Sequence, residues 1–241
     1  MKPILIAALI AFATPLASVF AADVPSQPFG IKDKLIFLDD FERTELGSAW
    51  KPGLPGFTVT NGVLVFQSAE HSGVKAKLPL PDGNFILEIK FRFSGASGIS
   101  LGCDDFEYTG THHGHISRIA IKPTLLTLND DKEGLMRNDI YALRRSGDAV
   151  KIAEGDRLAK PAFVPVPFTF QPGQWYRLGW EVIGDRMRVI IDDKPVGYLQ
   201  SPGLAYVNKH DLVLEGRGPT PNQEADFDEV RVWSVKSTVA K

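Results

Sequence analysis

In the stretch "NFILEIKFRF", Phe85, Leu87, Ile89, Phe91 and Phe93 alternate with polar or charged side chains at Glu88, Lys90 and Arg92. A period of two puts the apolar set on one face of a strand, whereas a helix would scatter it around its surface. The alternation returns in "YRLGWEV" (Leu178, Trp180, Val182), "RMRVIID" (Met187, Val189, Ile191), "DLVLEG" (Leu212, Leu214) and "FDEVRVW" (Phe227, Val230, Val232). Turn residues punctuate these runs: Asn61-Gly62, Asp82-Gly83, Gly184-Asp185 and the segment Asp192 to Pro195. Short alternating strands separated by such turns predict an all-β fold, an antiparallel sandwich of two sheets.

One segment breaks the pattern. Between Arg137 and Pro167 the chain is charged, weakly helical in "DIYALRRSGD", and then proline-rich in "AKPAFVPVPF". Proline lacks the ladder donor, so this last piece cannot be a central strand. The segment reads as a long insertion, partly helical or irregular, suited either to wall a binding site or to lie passively on the surface.

Composition narrows the class. A chain of 241 residues with 44% hydrophobic side chains is long enough for one large sandwich core. Lys and Arg total 27 against 29 Asp and Glu, a net charge of -2, and no stretch concentrates the cations, which argues against a nucleic-acid partner. Residues 1–21 carry Lys2, a short apolar run interrupted by Pro15, and small residues at Val19 and Ala21. This is the layout of a secretory signal peptide rather than a membrane anchor. The expected division is a signal peptide over 1–21, a linker over 22–34, the sandwich over 35–235 and a tail over 236–241, in a secreted or periplasmic bacterial protein without membrane insertion after cleavage. Cys103 is the single cysteine, so the core depends on packing and not on an internal disulfide.

The runs "FLDDFER", "NGVLVF", "PGQWYRLGWEVIGDRMRVIIDDKPV" and "ADFDEVRVW" resemble the concanavalin A-like lectin and glucanase superfamily. More narrowly, their layout is similar to that of secreted bacterial proteins of the 3-keto-disaccharide hydrolase domain family. The resemblance implies a jelly-roll sandwich and a glycan or keto-sugar as partner. It places Trp175 and Trp180 in the core. Glucanases of this fold carry Glu-x-Asp-x-Glu, or the same with one more residue, along one strand, so that an acid and a nucleophile about 5 Å apart flank the sugar. No such motif occurs here. In "CDDFEY", Asp104 and Asp105 point opposite ways and Glu107 shares a face with Asp105. A laminarinase-type retaining mechanism is therefore not expected.

The polar window "THHGH" precedes "ISRIAIKPTLLTLNDDKEG", which reads as a hairpin turning between Lys122 and Leu125. Pairing residues equidistant from the turn sets Ile121 against Leu126 and Ile119 against Leu128, a register that one residue of slip would destroy. Extended outward, it pairs Ser117 with Asp130, His115 with Lys132, Arg118 with Asn129, and Ile116 with Asp131. His115, Asp130, Asp131, Lys132 and Arg118 become the candidate catalytic set: a proton carrier, carboxylates to orient it, and cations to stabilise an enolate or oxyanion. On a regular strand Arg118 points away from His115, so a bulge near Ser117 is required to join them. The alternative is a solvated turn with His115 at a strand end. His113, Glu107 and Tyr108 are candidate substrate-binding residues.

No cofactor is expected. His113 and His115 share strand parity, as zinc ligands could, but a third ligand would have to come from His71, His210 or Glu107. Structural calcium is conceivable between Asp39 and Asp40 on the first strand and Asp226 and Asp228 on the last. Two functions from different classes remain. One is an enzyme that hydrolyses or eliminates a 3-keto-glycoside by acid/base chemistry, the sugar being implied by the resemblance. The other is a non-catalytic carbohydrate-binding module, for which Tyr108, Tyr141 and Tyr206 are candidate sugar platforms.

Overall fold

The computed structural model describes residues 24–67, 70–218 and 224–236. The expected signal peptide and most of the expected tail lie outside the described residues. Seven strands come first: β1 (Ile31–Asp39), β2 (Lys51–Leu54), β3 (Phe57–Thr60), β4 (Val63–Gln67), β5 (Ser72–Lys77), β6 (Phe85–Ser94) and β7 (Gly98–Asp104). A hairpin of β8 (Ser117–Lys122) and β9 (Leu125–Asp130) follows, then α1 (Asn138–Arg144) and α2 (Ala149–Ala159). The chain ends with β10 (Phe163–Pro167), β11 (Tyr176–Ile183), β12 (Arg186–Ile191), β13 (Lys194–Gln200), β14 (Asp211–Arg217) and β15 (Glu224–Lys236).

These strands build two antiparallel sheets, the sandwich that the alternation predicts, arranged as the jelly roll that the resemblance implies. One runs β13-β12-β11-β6-β15-β4-β3, with β1 added against β15; the other runs β10-β9-β8-β7-β14-β5-β2. Neighbours such as β6 and β15 are far apart in sequence, because the chain repeatedly crosses between sheets. The apolar positions of both sheets face each other in one core. There Trp180 is fully buried and meets Phe85 edge to face at 4.9 Å. Trp175, expected inside, is instead half-buried at the surface beneath the guanidinium of Arg92. Its position just before β11 leaves it ahead of the sheet's inward alternation. Cys103 is buried as a free thiol.

Two boundaries move. β1 begins at Ile31 and the residues before it dock on the sheet: Phe29 N donates to Glu181 Oε2 at 3.2 Å, and Arg188 Nη1 donates to Pro25 O at 2.8 Å. The residues from Pro25 to Phe29, within the expected linker, thus form a strap held by the buried Glu181–Arg188 pair. The insertion holds two helices, and its proline-rich end is a strand, β10, pairing with β9. It sits at the sheet edge, where Pro165 and Pro167 cost no ladder bond. No helix among the described residues is long and apolar enough to cross a membrane.

Candidate functional site

Parity decides what the seven-stranded sheet shows on its outer face. Leu101 and Cys103 on β7, Ile119 and Ile121 on β8, and Leu212 and Leu214 on β14 point into the core. Alternate residues therefore point outward: Ser100 and Asp104 from β7, Arg118 from β8 and Glu215 from β14. The ladder sets Ser100 opposite Glu215 and Gly102 opposite Arg118, so these polar groups are brought together across three strands.

The loop between β7 and β8 adds the histidines. His112–Gly114 forms a single tight turn tied to the insertion: His112 N donates to Met136 O at 2.7 Å, and the His112 ring stacks on Tyr141 at 3.9 Å. His113 and Gly114 both have positive φ, 52° and 72°. At 114 only glycine fits, since a Cβ there would overlap the carbonyl of Asp105. The turn sends His115 back to the sheet, where its Nδ1 lies 2.9 Å from Asp104 Oδ2. The next amide, Ile116 N, donates to Asp104 Oδ1 at 2.9 Å. With Nδ1 donating to the carboxylate, Nε2 is the ring atom left for chemistry. Burial alone would lower the His115 pKa, but the bond to Asp104 and its charge outweigh this and raise it. Burial pushes the Asp104 carboxyl upward, held back by His115 and by the Ile116 amide.

The β8–β9 register is the one the hairpin pattern predicts: Ile119 pairs with Leu128, Ile121 with Leu126 and Ser117 with Asp130. Beyond Asp130 the ladder changes. Asp131 N and Lys132 N both donate to Ile116 O, at 2.9 and 3.1 Å. Two successive amides on one carbonyl mark a bulge, here in the strand facing Ser117. The bulge turns Asp131 to the outer face, where Arg118 Nη2 donates to its Oδ1 at 3.0 Å. Arg118 is close enough for its charge to oppose protonation of His115. Of the expected catalytic set, His115, Arg118 and Asp131 therefore share one face.

Asp130 and Lys132 do not join them. Asp130 keeps the inward parity of Leu128 and is wholly buried. It accepts from Ser201 Oγ, from Gly203 N at 2.9 Å and from Glu133 N at 3.1 Å, which makes it a loop anchor. Lys132 turns to Glu133 at 3.0 Å and lies over the rings of Tyr108 and Tyr206 at 5.6 and 5.9 Å. Tyr108 packs on Tyr206 with ring centres 5.1 Å apart, and Glu107 is exposed beyond them. Tyr141 is spent on His112, so the three tyrosines do not form one platform.

Three residues unmarked as catalytic by sequence complete the face: Asp104, Glu215 and His71. Glu215 accepts from Ser100 Oγ at 2.5 Å and pairs with His71 Nε2 at 3.0 Å. Burial would raise the Glu215 pKa, yet His71, Ser100 and the Arg118 charge bring it down to about 2. His71, His113, His115 and Glu215 line a depression of about 460 Å³, with Phe106 and Lys75 on its rim. A second depression of about 430 Å³ adjoins it through Glu215 and contains Arg118, Ser100 and Asn129, with Met136 and, from the insertion, Arg144 forming a wall. The one sequence signal for Glu215 was its place on the outward parity of "DLVLEG", which it shares with Asp211.

The histidines do not gather as a metal set. Among the described residues, the donor atoms that approach within 4.8 Å of one another are those of Asp105, His210 and Asp211. There Asp211 already bonds Lys77 and the Phe106 amide, and Asp105 bonds Tyr206. The acids weighed for calcium are also partnered. Asp39 holds Arg43 through both oxygens, at 2.6 and 2.7 Å, as well as Trp50 Nε1, and Asp226 pairs with Arg92. A larger groove of about 590 Å³ lies on the other sheet. Its floor holds the Glu181–Arg188 pair, which already anchors the N-terminal strap, and no histidine lines it.

No family model matches the chain, and no curated protein matches it by sequence. Solved structures do match. A laminarinase from Rhodothermus marinus superposes with a TM-score of 0.56 at 13% identity, covering 84% of this chain and 98% of that one. A carbohydrate-binding module from Bacillus subtilis gives 0.50 at 13% identity, covering 79% and 98%. A sialidase gives 0.54 at 12% identity over 85% of this chain, which spans 18% of the sialidase. At these identities the likeness is one of fold: the chain is a jelly-roll sandwich similar in architecture to a laminarinase and to a carbohydrate-binding module.

Proposed function

We propose that this protein cleaves a 3-keto-glycoside on the outer face of the seven-stranded sheet, with His115 as general base. The observation that carries the reading is the buried Asp104–His115 pair beside Arg118. It is a proton carrier with an oriented, raised-pKa ring that opens on a depression of about 460 Å³ able to take a sugar ring, with the cation in the adjoining hollow. The 3-keto sugar comes from the sequence resemblance; a carbohydrate ligand of some kind also accords with the glucanase and binding-module neighbours. The leader-like first 21 residues put the activity in a secreted or periplasmic setting in this reading.

A ketone at C3 acidifies the hydrogen on C2. His115 Nε2 takes that proton, and the C2–H electron pair becomes an enolate on the C3 oxygen, which Arg118 stabilises. Collapse of the enolate forms the C1–C2 double bond and expels the aglycone oxygen from C1. That oxygen receives the proton back from His115. Water adding across the double bond completes hydrolysis; without it the reaction is an elimination. No paired retaining carboxylates are needed.

The test uses p-nitrophenyl 3-keto-β-glucoside beside the unoxidised glucoside. Release of p-nitrophenolate from the keto substrate alone is expected, with a loss of roughly 10²–10⁴-fold in the His115→Ala variant. Equal rates for the variant and the parent protein would remove His115 from the chemistry.

A further inference from the structure

We propose that the depression beside Arg118 is a subsite for an anionic group, a carboxylate or sulfate carried by the sugar or its aglycone. This rests on the glycan reading above and specifies its substrate class. Four cations from three elements line one hollow of about 430 Å³: Arg118 on β8, Lys122 at its end, Arg144 on α1 and Arg217 at the end of β14. They are separated by up to about a hundred positions in sequence, which is why the evenly spread charge of the chain conceals them. Glu215 is the acid among the lining residues, and it is already engaged by His71 and Ser100.

The fold holds these charges in graded ways. Arg118 is mostly buried and fixed by Asp131 through Nη2, while its Nε has no hydrogen-bond partner. Arg144 is oriented over the hollow by Asp156 at 2.7 Å. Lys122 and Arg217 are exposed at the rim. Asn129 and Thr127 supply neutral polar groups to the floor. A neutral sugar gains little from so many cations, whereas an anion gains from each, and most from a guanidinium that meets carboxylate or sulfate with two parallel N–H groups. Because this hollow shares Glu215 with the His115 depression, the anionic group would sit on the ring at the reacting bond or on its immediate neighbour.

Direct titration calorimetry with the full chain tests this without needing turnover. The probes are trigalacturonate, its methyl ester, a 6-sulfated glucose trisaccharide and the neutral glucose trisaccharide. Binding of trigalacturonate or the sulfated sugar at least tenfold tighter than the neutral ones is expected, weakening as NaCl rises. Preference for one of the two anions identifies carboxylate or sulfate as the source. In the Lys122→Ala/Arg217→Ala variant, whose changes lie at the exposed rim, anion binding should fall tenfold or more while thermal unfolding stays in place. Neutral and anionic sugars binding alike, or an unchanged affinity in that variant, would overturn the subsite. Anion binding that persists while His115→Ala retains full turnover would leave the subsite standing and reject the catalytic reading alone.

Discussion

His115 Nδ1 and Asp104 Oδ2 lie 2.9 Å apart on the outer face of the seven-stranded sheet, with the carboxylate wholly buried between the ring and the Ile116 amide. This bond fixes both the orientation and the basicity of the ring. Asp104→Asn keeps an oxygen for Ile116 but removes the charge. With burial then largely unopposed, the His115 pKa falls. The neutral ring is the base, so in the parent protein kcat/KM climbs with pH through a pKa above the usual histidine value. In the variant that limb should move to lower pH and its plateau should drop by roughly 10²-fold or more. A pH–rate profile with an unmoved limb would break the link between the two residues.

Arg118 and Asp131 form a buried pair in which breaking one side leaves an uncompensated charge. Asp131→Ala should cost about 3–5 kcal/mol in denaturant unfolding. Replacing both, as Arg118→Met with Asp131→Leu, should recover most of that stability yet leave turnover far below that of the parent protein, because the cation is gone. If the double change restores activity as well, Arg118 has no part in the chemistry.

Asp130 separates structure from catalysis. Its carboxylate anchors Ser201, Gly203 and Glu133, so Asp130→Ala should lower unfolding stability by about 1.5–3 kcal/mol. The folded fraction should keep its kcat. A kcat lost in proportion to that of His115→Ala would return Asp130 to the active set.

Glu215 predicts an acid limb in stability. Its carboxyl is held down to about 2 in the folded protein against 4.5 for the free side chain. A depressed carboxylate contributes stability that is full above the unfolded pKa and lost as pH falls through the folded one. The window is therefore about pH 4.5 down to about 2, with on the order of 3 kcal/mol at stake. Urea midpoints measured across this range should drop in the parent protein and flatten in Glu215→Gln; parallel curves would count against the His71–Glu215–Ser100 cluster.

The alternation of apolar residues was enough to determine the sandwich and even the register of the β8–β9 hairpin, because a one-residue slip would put Ile119, Ile121, Leu126 and Leu128 in water. His115 and Arg118 were legible from chemical type, but the bulge expected to join them lies in the facing strand and not in β8; His115 precedes β8 and is carried to Asp104 by the 112–114 turn. That the bulge falls after Asp130, turning Asp131 outward and leaving Asp130 within, was decided by the ladder itself: both following amides share the Ile116 carbonyl. Asp104, Glu215 and His71 join the site from β7, β14 and the approach to β5, and Lys122, Arg144 and Arg217 meet only where the insertion folds over the sheet. Local periodicity encodes which face a residue takes. Which distant strands become neighbours depends on how two apolar faces close on one another, and that closure selects the partners of every charge on the outer surface.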